Sequence, residues 1–213
     1  MKKIIILPLL VMSLTASPSF PQQLPFKYEL SAQAGTWLST NGRYNADYKL
    51  RDLVDPGTAI GMGFSIIVNR HYSVEMQLTT AWLNYQENKR PLSGDIPAFS
   101  VSSLLFHNRY YLLARKISPY LSAGVGIYYW RFTEDGAFGK AQKFEGEELE
   151  KMSIGGNAGV GIRICLMPRL ALIGEVQYHY ILSKDEFFFG QEFSEQGLTS
   201  YQGGLRIYFN SIF

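Results

Sequence analysis

Eight stretches of this chain alternate apolar and polar residues at a period of two, and the connections between them are short and long by turns. Period-two alternation puts successive side chains on opposite faces of an extended strand. The stretches span 27–38, 57–68, 72–85, 99–113, 119–132, 152–165, 170–182 and 199–213. In the second, Ile60, Met62, Phe64, Ile66 and Val68 oppose Ala59, Gly61, Gly63 and Ser65; in the last, Tyr201, Leu205, Ile207, Phe209 and Phe213 oppose Ser200, Gln202, Arg206 and Tyr208. Short turns at 69–71, 115–118 and 167–169 contrast with connections at 39–56, 86–98, 133–151 and 183–197. Strands of soluble sheets usually run about 5–6 residues, whereas crossing a bilayer at a tilt takes about 9–11. The pattern therefore predicts an all-β fold, an eight-stranded antiparallel transmembrane β-barrel with short turns at one end and four longer loops at the other. An even strand count puts both termini at the turn end.

Alternation alone does not say which face is outside. One face carries Glu29, Glu75 and Glu175 with Arg109, Arg163 and Arg206, plus Gly61, Gly63, Gly124, Gly126, Gly159 and Gly161; the other is almost free of charge. A basic residue facing lipid near mid-membrane costs about 2–4 kcal/mol, so six charges on that side would rival a typical folding stability of about 5–15 kcal/mol. The charged face is thus assigned to the lumen, where three acids and three bases can pair and the glycines make room for long side chains. These six residues are expected to plug the barrel. Aromatics are 15% of the chain, and Trp and Tyr favour the membrane–water boundary. Trp37, Trp82 and Trp130 lie near the loop ends of strands, and Tyr72, Tyr110, Tyr120 and Phe209 near the turn ends. They are expected to form two girdles.

The chain opens with Met1, Lys2 and Lys3, a mostly apolar run over 4–14, and the small residues Thr15, Ala16, Ser17 and Ser19. This is the order of a secretory signal peptide, assigned to 1–19 with cleavage between 16 and 20, and the barrel domain is assigned to 27–213. A net charge of +2 without a Lys/Arg cluster gives no case for nucleic acid. Cys165 is the single cysteine and can form neither an internal disulfide nor a Cys-based metal site.

The segments 119–126, 175–178 and 203–209 resemble the small outer-membrane barrels of the OmpA-like transmembrane domain, OmpX and OmpW group of Gram-negative bacteria. The resemblance covers nearly all of the mature chain as architecture. It implies residence in the bacterial outer membrane with periplasmic turns and extracellular loops, contact with outer-membrane lipid and lipopolysaccharide, and Phe213 as the aromatic signal read by the assembly machinery. The chain departs from that pattern by adding Asn210, Ser211 and Ile212 after the Tyr208-Phe209 pair.

Motifs for chemistry are sparse. The run 155–161 is glycine-rich but lacks the Lys-Ser/Thr of a phosphate loop and lies within a strand. His179, Ser183 and Asp185 include the residue types of a hydrolytic triad, but His179 points inward and the other two open a loop. No catalytic, metal or cofactor residues are assigned. Two loops are acidic: 133–150 and 183–197, the latter with Phe187, Phe188, Phe189 and Phe193. Four aromatics in such a loop call for a partner, a fold-back onto the barrel mouth or contact with the outer leaflet, and both loops are candidates for binding an extracellular ligand. The chain is therefore expected to be a non-enzymatic outer-membrane protein with a structural or surface-interaction role. The alternatives are a narrow channel for small hydrophobic molecules, as in OmpW-like proteins, and an outer-membrane lipid-modifying enzyme.

Overall fold

Each alternating stretch forms a strand, and the strands close on themselves. The computed structural model describes residues 27–44, 48–91, 94–113, 115–144, 146–183 and 194–210. Its strands in chain order are β1 (Tyr28–Asn41), β2 (Gly57–Asn69), β3 (Tyr72–Asn84), β4 (Ala98–Tyr111), β5 (Ile117–Thr133), β6 (Lys143–Phe144), β7 (Glu147–Glu148), β8 (Glu150–Met167), β9 (Leu170–Ile181) and β10 (Gln196–Phe209). β6 and β7 form a small hairpin within one loop, and the other eight make a closed barrel in the order β1-β10-β9-β8-β5-β4-β3-β2. The seam is made by β1 and β10, antiparallel from Tyr28 opposite Phe209 to Asn41 opposite Gly197. Closure leaves no strand edge with unpaired backbone groups.

The faces divide as the charge argument requires. Outward positions are bare apolar side chains, with Met62 64% and Val125 65% exposed among Ile60, Leu78, Leu104, Ile127, Val160, Leu205 and Ile207. So large a contiguous apolar surface is stable only against hydrocarbon. Val125 lies within that band, so Val125→Arg should cost about 2–4 kcal/mol of stability in lipid vesicles, measured by urea titration. A water-facing position would tolerate the change.

Three of the seven aromatics assigned to the girdles are corrected by the structure. Trp82, Tyr72, Tyr110 and Phe209 do face out, and Tyr28 stacks on both Phe64 and Phe209 at 5.9 Å. Trp37, Trp130 and Tyr120, expected in the girdles, are instead buried inside the barrel. The loop-side rim outside is made by Trp82, Tyr178 and Tyr180, with Phe138 over Trp82 at 6.4 Å. The segment read as a signal peptide, the four loop phenylalanines (Phe187, Phe188, Phe189, Phe193) and Phe213 lie outside the described residues.

Candidate functional site: the barrel interior and its mouth

The interior is built in three tiers along the barrel axis. Nearest the turns lies a chain of alternating charges. Glu29 accepts from Arg206 Nη1 (2.9 Å), Arg206 Nη2 lies 3.7 Å from Glu75, Glu75 pairs with Arg109, and Arg109 Nη2 reaches Glu175 (3.2 Å). All five are buried. Each carboxylate also takes a hydroxyl from another strand: Ser65 donates to Glu29 (2.7 Å), Ser31 to Glu75 (2.9 Å) and Ser122 to Glu175 (2.6 Å). Buried charges need pairing of this kind, because an isolated one costs several kcal/mol in desolvation. Both guanidiniums lie over the Tyr120 ring, at 5.6 and 5.7 Å, and Arg206 also donates to Tyr111 Oη (2.6 Å).

Arg163, expected as a sixth member, stands apart. Its guanidinium lies 4.0 Å over the Tyr111 ring and donates to Ser118 Oγ (3.2 Å), so an aromatic face and a hydroxyl take the place of a carboxylate. Glycine makes the tier possible: a Cβ at Gly63 would occupy the space of the Glu75 carboxylate and Ser31 Oγ, and one at Gly161 that of the Tyr120 ring. Gly63→Val should therefore overpack the tier and cost about 1–3 kcal/mol, read as a lower urea midpoint with an unchanged slope.

The middle tier is neutral. His107, Asn157 and Gln177 form a ring of contacts: Asn157 Nδ2 lies 3.1 Å from His107 Nε2 and donates to Gln177 Oε1 (2.9 Å), and Gln177 Nε2 lies 3.4 Å from His107 Nδ1. Above it His179 stacks on Trp37 (4.3 Å), with Nδ1 3.1 Å from Tyr128 Oη and Nε2 3.1 Å from Ser200 Oγ. A serine thus stands within reach of His179, but both are buried in the lumen rather than turned to a lipid leaflet. Ser183 donates its hydroxyl to the carbonyls of Ile181 (3.4 Å) and Ser194 (3.2 Å), and Asp185 lies outside the described residues. Among the described residues no three His, Cys, Asp or Glu side chains are grouped to hold a metal ion.

The third tier, toward the loops, is apolar, and strand alternation gave no separate notice of it. Trp37, Leu83, Phe99, Trp130, Phe132, Ile181 and Leu198 fill this half of the lumen. The first loop then folds over the mouth: Leu50 and Val54 join the cluster, Tyr44 meets Phe132 edge-on at 5.3 Å, and the Gln86 N–H donates to the Leu53 carbonyl (3.0 Å) to tie this loop to the next. Burial pushes the phenols of Tyr44 and Tyr85 above their ordinary range. Tyr85 stays protonated and donates to Gln142 in the third loop (3.5 Å). Outside the barrel, a groove of about 570 Å³ runs over Ala34, Gly203 and Gly174 between Tyr201, Val160 and Val176. It opens on the apolar exterior.

No family model matches the sequence, and no curated protein matches it significantly. Solved structures do align with it. Neisserial surface protein A aligns over 85% of this chain and 97% of its own with a TM-score of 0.58 at 15% identity. Ail, the attachment invasion locus protein of Yersinia pestis, aligns over 85% and 99% (TM-score 0.49, 14% identity), and outer membrane protein W of E. coli over 88% and 100% (0.48, 18%). The first of these likenesses carries the fold. Together with the apolar exterior, it makes this chain an eight-stranded barrel of the outer-membrane type.

Proposed function

We propose that this outer-membrane barrel is a closed one, a structural and surface-interaction protein without catalytic activity, set in the bacterial outer membrane with its turns in the periplasm. The observation that carries the reading is the stacking of three filled tiers: charged, amide and imidazole, then aromatic under a folded first loop. A conduit needs a continuous path of solvent or apolar space, and each tier opposes it differently. Ions would have to displace paired charges and then cross an apolar cluster. Apolar solutes would have to cross the charges. The burial of both His179 and Ser200 speaks against a lipid-modifying site, since such chemistry needs substrate within about 3 Å of nucleophile and base.

Interaction then falls to the loop end of the barrel, where the segments 133–151 and 183–197 are the candidates for an extracellular ligand. The β6–β7 hairpin and Phe138, 75% exposed, supply polar and apolar contact surface in the first of these loops. Contact with lipopolysaccharide and reading of Phe213 by the assembly machinery belong to the same proposal. Liposome swelling tests the closed lumen: vesicles carrying the folded barrel should swell in small sugars no faster than empty ones. Swelling that depends on sugar size would support a channel instead.

A further inference from the structure

The two ends of the barrel differ in charge. The turn end carries Lys27, Arg70, Arg115, Lys116 and Arg169, and the turn segments 69–72, 111–117 and 166–170 contain no acidic residue. The loops are mixed or acidic, as with Glu134, Asp135, Glu145, Glu147 and Glu148 against Lys140 and Lys143. All five cations are exposed, and four of them sit on backbone tied into the barrel end. The Ile67 N–H donates to the Lys27 carbonyl (2.8 Å), Ser118 Oγ to that of Arg115 (2.7 Å), the Cys165 N–H to that of Lys116 (2.8 Å) and the Tyr208 N–H to that of Arg169 (3.0 Å).

Their depth is set by the aromatics beside them. Lys27 precedes Tyr28, which stacks between Phe64 and Phe209, and Arg70 precedes His71, whose ring stacks on Tyr110 at 6.1 Å. Outward tyrosines sit at the headgroup boundary, so cations immediately beyond them reach the phosphate layer, as lysine and arginine side chains do when they extend from an apolar surface. We propose that this turn-end rim is a binding ring for anionic phospholipids, recognising the headgroup phosphate. Arginine offers a phosphate paired N–H donors and lysine a compact charge. The inference rests on the barrel reading above, and adds a lipid selectivity for one leaflet.

The test uses the full barrel in mixed vesicles with spin-labelled phosphatidylglycerol or phosphatidylcholine, the immobilised fraction of each label being read by electron paramagnetic resonance. Wild type should hold the anionic label about fivefold more strongly at low salt, and about 0.5 M salt should erase most of the preference. The preference should vanish in an Arg70→Gln, Arg115→Gln, Lys116→Gln, Arg169→Gln variant and survive in Lys140→Gln, Lys143→Gln. Equal retention of both labels by wild type, or a preference that the four-site variant keeps, overturns the proposal. The heat-dependent gel shift is followed in parallel: its absence in wild type would overturn the barrel reading itself, whereas a wild-type barrel that shifts without discriminating overturns the ring alone.

Discussion

Arg206→Ala should lower the stability of the barrel in lipid vesicles by about 3–5 kcal/mol, one of the two largest effects expected of a single substitution in this chain. Arg206 is fully buried between Glu29 and Glu75 and donates to Tyr111. Its removal leaves Glu29 with the Ser65 hydroxyl and no cation, and Glu75 with Arg109 and Ser31. The cost arises less from a lost attraction than from a carboxylate left in a dry interior. Removing the orphan as well should recover much of it, so Glu29→Gln combined with Arg206→Met should be more stable than Arg206→Ala. Urea titration of the three proteins, each inserted in the same vesicles, measures both effects. Stability unchanged within about 0.5 kcal/mol in Arg206→Ala would mean that water reaches these charges.

Trp130→Ala should cost a similar amount, about 3–5 kcal/mol, from the opposite half of the lumen and for another reason. The indole is fully buried, lies 6.3 Å from Phe99 and 6.2 Å from Phe132 by ring centroid, and donates through Nε1 to Ser153 Oγ (3.0 Å). Alanine would leave a cavity walled by strands that cannot move inward without breaking their ladders. The charged tier remains intact in this variant, so it should stay electrically silent while its urea midpoint falls. An outward-facing girdle tryptophan would show a far smaller loss on the same substitution.

That contrast marks where sequence reasoning succeeded and where it failed. All eight strands and their faces were legible, because mid-strand one side of each carries charged, polar or small residues and the other is mostly large and apolar. For Trp37, Trp130 and Tyr120, position in the alternation outweighs the boundary preference of the residue type. Trp37 continues the series Glu29, Ser31, Gln33 and Gly35, while Tyr120 and Trp130 belong with Ser122, Gly124, Gly126 and Tyr128. Counting by two would have placed all three in the lumen. Near the loops both faces are apolar, so only the count separates them. The role of Leu50 and Val54 in covering the mouth had no such signal, since two apolar residues in a polar connection do not announce what they cover. The pairing order within the charged tier, and the seat of Arg163 over Tyr111, depend on which strands stand opposite one another across the lumen. Alternation along a strand carries no information about that.

The proposed seal of the lumen by a charged tier and an apolar tier can be read by single-channel recording in planar bilayers. Protein whose heat-dependent gel shift confirms folding should insert and give no steady conductance to small ions. Reproducible unitary steps from the wild-type barrel, scaling with salt concentration, would contradict the closed interior.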